Sequence, residues 1–127
     1  MPLVRIDTTQ RIDAQRRRAM GDAVHRALVE TIQVPPDDRF QVIVGHADAE
    51  LHVTPSYLGI EHAPDVVLVQ VTLSVGRTVE QKKALFQEIA DGVAEAGAVR
   101  PEDVIVNLVE VAKENWSFGN GEAQYAR

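Results

Sequence analysis

The residue with the most chemistry to offer stands second in the chain. Proline behind an initiator methionine permits removal of that methionine, and the new terminus is then a secondary amine rather than an amide. A free α-amine titrates at about 7.7–8.0; apolar walls lower that value and a nearby carboxylate raises it. Such an amine can serve at neutral pH as a base, an acid or an imine-forming nucleophile. With Met1 retained, the Pro2 nitrogen is an ordinary imide and this chemistry is closed. Three histidines, His46, His52 and His62, lie between the halves of the chain, six and ten residues apart. That is not a zinc-ligand spacing, and cysteine is absent, so neither a metal site nor a cofactor is expected. His46 closes a predicted strand, where it either lines a pocket or is a loop histidine without a role. The segment Asn115 to Gly121 sets Trp116 and Phe118, two of only six aromatic residues, among glycines. It suits a flap folded over a pocket or onto a neighbouring subunit, with the two rings desolvating whatever lies beneath them. No phosphate-binding glycine loop, nucleophile elbow or dinucleotide fingerprint occurs.

The elements that must position these residues come in two similar sets. Leu3, Val4 and Ile6 read as a short strand. Met20, Ala23, Val24, Ala27, Leu28, Thr31 and Ile32 recur at helical spacing, and Pro35-Pro36-Asp37-Asp38 ends that helix. Phe40 to Val44 reads as the next strand. In the second half, Val66 to Leu73 is the strongest strand, and Thr78 to Gln81 fits a capping box. Leu85, Phe86, Ile89, Ala90 and Val93 make the next apolar stripe. Gly97 and Pro101 stop it, and Val104 to Val111 is the last strand. Sliding the chain by 66 positions brings Arg11 onto Arg77, Pro35 onto Pro101 and Asp37 onto Asp103. The expected fold is α+β: two βαβ repeats, roughly 2–44 and 67–111, forming a four-stranded mixed sheet with two helices on one face, followed by a tail over 112–127. The linker over 45–65 is expected to hold a short hairpin around Leu51 to Val53. Because the strands read as apolar on both sides, the uncovered sheet face is expected to pack against other copies, which predicts a homo-oligomer.

Composition narrows the partners. The 127 residues suit one domain over 1–127, with 45% apolar residues and a core built from aliphatic side chains. No apolar run is long enough for a membrane helix and no leader pattern opens the chain, so no membrane partner is expected and the default location is cytoplasmic. A net charge of −6 argues against nucleic acid, and Arg16 to Arg18 read as a solvated helix face.

Taken together, Pro2 opening a strand, the duplicated unit, Val34 to Gln41, Gln70-Val71-Thr72, Arg77 with Glu80-Gln81-Lys82, and the tail Asn115 to Gly121 resemble the tautomerase superfamily, in its malonate semialdehyde decarboxylase-like branch. The resemblance runs from Pro2 to about Gln124. It implies a trimer with the proline at the base of each pocket. It implies that Pro2 is the catalytic amine, that Asp38 activates water or tunes the proline, and that Arg77 holds the carboxylate of a small anionic acid. A second family arginine is missing, and Val75 stands near its place. Arg39 either reaches the pocket or is a surface arginine at a strand start; Arg39, His46, Trp116 and Phe118 are the candidate substrate-binding residues. Keto–enol tautomerisation of a small 2-oxo acid needs one base and one anion holder, so it survives the loss of one arginine. Decarboxylation of a 3-oxo acid, hydration of an unsaturated acid and a non-catalytic oligomeric binding protein are the alternatives.

Overall fold

The computed structural model describes all 127 residues. In chain order the strands and helices are β1 (Leu3–Thr9), α1 (Ala14–Ile32), β2 (Gln41–His46), β3 (Ser56–Tyr57), β4 (Ile60–Glu61), β5 (Val67–Ser74), α2 (Val79–Gly97) and β6 (Val104–Val111). The main sheet runs β2-β1-β5-β6. Each helix links two parallel strands, β1 to β2 and β5 to β6, whereas the central pair β1–β5 is antiparallel. The fold is therefore the expected pair of βαβ units under two helices.

Helix starts follow from their caps. The Asp13 side chain accepts from the backbone N–H of Arg16, and Thr78 and Gln81 form the reciprocal capping box. These caps lie 65 residues apart, not 66. The strands agree: Val4, Ile6 and Thr8 are buried, as are Val69, Val71 and Leu73. An offset of 66 would turn every strand side chain to the opposite face, so the structural repeat runs at 65, and the loops follow it: the Asp38 N–H donates to Pro35 O as the Asp103 N–H donates to Arg100 O. Gly97 is the last helical residue and not the cap; the left-handed position falls on Ala98, with φ of 55°. A β-carbon on Gly97 would come within 1.9 Å of Met20 Cε, so this glycine serves the close crossing of α2 over α1. Met20, Val24 and Leu28 of α1 and Leu85, Ile89 and Val93 of α2 bury their stripes on Val4, Ile6, Val69 and Val71.

Two sequence expectations need correction. The hairpin is β3–β4, not Leu51 to Val53. A two-residue hairpin turn of type I′ needs positive φ at both central positions, and Leu58 (50°) and Gly59 (80°) supply it. The alternation at Leu51 to Val53 has no such turn beside it. The uncovered sheet face is also not apolar throughout. Leu3, Val42 and Val109 are exposed on it. Arg5, Gln70 and Asn107 stand in register beside them as a polar row, with Gln70 donating to Asn107 at 3.1 Å.

Candidate active site

The sheet topology decides which residues meet. At one pole lie the starts of β1 and β2 and the ends of β5 and β6. At the other lie the ends of β1 and β2 and the starts of β5 and β6. Pro2 is buried at the first pole, immediately before Leu3, which pairs with Thr72 near the end of β5. The chain enters β2 through a turn in which the Asp38 N–H donates to Pro35 O, and this carries Asp38 to the same pole. There the amino terminus on Met1 lies 3.8 Å from Asp38 Oδ2. The other carboxylate oxygen, Oδ1, is buried without a hydrogen-bond partner. A buried lone acceptor beside an amine is an expensive arrangement for a merely structural turn.

Arg77 arrives from the loop after β5. Gly76 turns that loop at φ of 128°, a conformation that strains any side chain, and Arg77 Nη1 then donates back to Ser74 O at 2.9 Å. Arg77 forms no ion pair. With Ser74, Val75, Gly76, Gln81, Lys113, Tyr125 and Met1 it lines a pocket of about 400 Å³. An adjoining pocket of about 260 Å³ is walled by Met1, Pro2, Leu3, Phe40, Trp116, Ser117 and Phe118. The terminal residues thus sit between a cationic chamber and an aromatic one.

The aromatic wall is a connected stack. Trp116 and Phe118 lie parallel with centroids 5.6 Å apart, Phe118 meets Phe40 at 6.2 Å, and Tyr125 meets Phe118 edge-on at 5.1 Å. Trp116 Nε1 donates to Ser74 Oγ at 3.3 Å, tying the tail to the end of β5. Burial pushes the terminal amine below the ordinary α-amine range, Asp38 pulls it up, and the charges of Arg77 and Lys113 push it down again. An amine so placed, between one carboxylate and two cations, has the surroundings of an acid–base group.

Five sequence candidates therefore converge: Pro2, Asp38, Arg77, Trp116 and Phe118. Two do not join them within the chain. His46 pairs in register with Thr9, at the opposite pole, about 20 Å along the strand from Pro2. Its Nε2 lies 2.6 Å from Asp7 Oδ1. Arg39 turns toward α1, where its guanidinium donates to Asp22 at 2.7 Å and to Gln41. A strand-start position gave the right neighbourhood for Arg39 but not its direction. Lys113, Tyr125, Ser74 and Phe40 also line the site and were not singled out. Lys113 and Tyr125 lie in the aperiodic tail, where no hydrophobic period assigns direction. Ser74 and Phe40 carried a usable signal, since both lie where a strand meets a loop at this pole.

Comparison with known proteins agrees with this geometry. Two family models, both described as tautomerase enzymes, match residues 38–119 and 2–59. The probable tautomerase YusQ of Bacillus subtilis is 38% identical over 98% of both chains. The probable tautomerase YrdN of the same organism is 31% identical over 98% of this chain and 96% of its own. Among solved structures, FG41 malonate semialdehyde decarboxylase inhibited by 3-bromopropiolate is 40% identical with a TM-score of 0.90, covering 98% of this chain and 94% of its own. A malonate semialdehyde decarboxylase described as having decarboxylase and hydratase activities is 31% identical with a TM-score of 0.88, over 98% and 95% of the chains. A fused 4-OT symmetric trimer superposes at 0.80 with 28% identity, covering 98% of each chain. The chain belongs to the tautomerase superfamily, in its malonate semialdehyde decarboxylase-like branch, and is an enzyme of that family.

Proposed function

We propose that the chain, freed of Met1, uses the Pro2 amine to move a proton between oxygen and carbon of a small 2-oxo or enol carboxylic acid. The observation that carries this reading is the terminal amine of Met1 3.8 Å from the half-buried Asp38 carboxylate, at the junction of the Arg77 chamber and the Trp116–Phe118 wall. Removing Met1 exposes the Pro2 nitrogen to the same neighbours. Arg77 holds the substrate carboxylate, and the neutral amine takes the enol hydroxyl proton. The resulting ammonium returns that proton to the adjacent carbon, so the amine ends as it began. Trp116, Phe118 and Phe40 exclude water from the carbon that receives it. No helix is long and apolar enough to cross a membrane.

Decarboxylation of a 3-oxo acid is the second reading. It is favoured by the two malonate semialdehyde decarboxylases at 40% and 31% identity. There the bond to the carboxylate breaks, its electrons pass to the carbonyl as an enolate, and the protonated amine supplies the proton that replaces carbon dioxide. The two readings call for opposite resting states of one amine. A trimer, like the fused 4-OT assembly, would cover the apolar part of the open sheet face and complete the assembly implied by the resemblance.

The deciding experiment follows ketonisation of an arylpyruvate enol by ultraviolet absorbance, with an intact mass recorded for each preparation. Wild-type turnover that falls at least about 100-fold in Pro2→Ala is expected. Equal, near-background rates in both proteins with Met1 absent would reject tautomerisation in favour of decarboxylation, assayed as carbon dioxide release. Retained Met1 with no turnover in either assay would leave a binding protein.

A further inference from the structure

The substrate chamber contains a cation that neither the family resemblance nor the sequence pattern assigned. Ser74 at the end of β5 pairs in register with Val111 at the end of β6, and the Val75 N–H donates to Val111 O at 3.1 Å. The chain leaving β6 is therefore laid beside the Arg77 loop, and the first residue of its next turn, Lys113, faces the same chamber. Lys113 forms no ion pair. Its Nζ stands 6.0 Å from the centre of the Tyr125 ring, a weak cation–π contact that parks the ammonium at the chamber rim without neutralising it. The nearby Lys82, by contrast, is paired with Glu110 at 2.8 Å. On a chain of net charge −6, two unpaired cations lining one chamber form a local exception, and anions collect where such charge is focused. Val75, the residue near the place of the missing arginine, lines this chamber too and brings no charge to it.

We propose that Lys113 is the second anion-anchoring residue of this site, sharing a small carboxylic acid with Arg77 and supplying from the turn after β6 the charge that Val75 does not supply from the loop after β5. The assignment rests on the functional reading above for the class of ligand. The two cations differ in kind. Arg77 offers a planar fork that fixes one carboxylate in orientation. Lys113 offers a point charge on a flexible stem, able to follow a second oxygen of the acid, its carbonyl or enolate, as charge moves onto it. The site consequently prefers acids with two oxygen functions over neutral esters of the same skeleton. Because the ammonium is exposed and movable, its contribution falls as salt rises.

The test separates binding from turnover. Phenylglyoxylate, a 2-oxo acid with no enolisable carbon, is titrated into Met1-free wild type, Lys113→Ala and Lys113→Arg, with binding read from amide chemical shifts at low and high salt. About tenfold weaker binding to Lys113→Ala is expected, with recovery to within about threefold of wild type in Lys113→Arg and a flatter salt dependence in Lys113→Ala. Unchanged thermal unfolding of both variants accompanies this result, since the side chain is exposed. Equal affinity of wild type and Lys113→Ala overturns the assignment, as does a loss that Lys113→Arg does not restore. If phenylglyoxylate binding depends on Lys113 while arylpyruvate enols are not turned over, the anchor stands and the tautomerase reading fails. If turnover depends on Pro2 but binding ignores Lys113, the reverse holds.

Discussion

Each βαβ unit places an arginine in the loop between its first strand and its helix, and the two arginines have different company. Arg11 is fully engaged. It bonds to Asp48, pairs with Asp65 at 2.8 Å and reaches Pro64 O. It lines a pocket of about 660 Å³, larger than the one at Arg77, together with Asp48, Asp65 and His46. Arg77 has a single carbonyl for a partner and no carboxylate within ion-pair distance. The larger cavity is thus electrically spent, and the smaller one retains an unused guanidinium, an unused ammonium and the chain terminus. Cavity size is a poor guide here; what separates the stapled Arg11 loop from the proposed binding site is whether the charge already has a partner.

That contrast can be broken most directly by truncating each arginine. Arg77→Ala is expected to raise the Michaelis constant for an arylpyruvate enol by roughly 30- to 100-fold, the loss of a charge-assisted bidentate contact. Arg11→Ala is expected to leave turnover within about twofold and to lower stability by no more than about 1 kcal/mol, since its pairs are exposed. Steady-state kinetics and thermal unfolding of the two variants give both answers. A Michaelis constant unmoved by Arg77→Ala would remove the distinction.

A second contrast lies in the aspartates after each helix. Asp103 is 2% exposed and is held by Arg100 at 3.0 Å and by the Ala63 N–H at 2.7 Å. Burial works against its ionisation, but the Arg100 and Ala63 contacts outweigh it and keep the carboxyl below the usual range. A carboxyl depressed in the folded state stabilises above its unfolded pKa, and that stability is lost as pH falls through the folded value. Asp103→Ala is therefore expected to cost about 2 kcal/mol at neutral pH and much less in acid, measured by denaturant unfolding at both. Asp37, which the sequence identities at 66 set on Asp103, is exposed, and the same substitution there is expected to be nearly silent. Equal losses at the two sites would show that burial is not what distinguishes them.

The smallest expected effect is a displacement on the pH axis. Burial and the charges of Arg77 and Lys113 lower the pKa of the terminal amine carried by Met1, and Asp38 opposes them; on the proposed reading the Pro2 amine meets the same neighbours. Asp38→Asn removes that pull, so the amine is expected to lose its proton at lower pH. In a base-catalysed reaction the acid limb of the profile of kcat/KM then moves to lower pH. A limb that stays in place would mean that Asp38 does not act on the amine.

Much of this architecture was legible from residue order. Helix periods, the Thr78 box and the final strand over Val104 to Val111 are local signals, and local signals fix local structure. Pro2 offered chemistry only on the condition that Met1 is removed, and the family resemblance, not the Met-Pro start, made it the candidate amine. Asp38 and Arg77 needed the family resemblance, since a turn carboxylate and a loop arginine carry no period. His46 shows a similar gap: a strand end can be recognised in sequence, but which pole of the chain it occupies depends on the pairing of β1 with β2 and β5. Lys113 was hidden because its position depends on β5 and β6 ending side by side, and their last residues, Ser74 and Val111, stand 37 residues apart in the chain and meet only after folding.

The antiparallel central pair has a consequence for the ancestry of the site. With β1 and β5 opposed, the two units are turned end for end, and whatever chemistry one pole holds the other pole could have duplicated. At the offset of 65 that aligns the strands, Val67 answers to Pro2, and Val67 is an internal residue whose nitrogen is tied into a peptide bond. A polypeptide has one beginning however many copies of a motif it strings together. If Met1 is removed as proposed, joining two units end to end leaves one free amine where two separate units would have two, and the Arg11 pole, without one, uses its arginine to hold loops together.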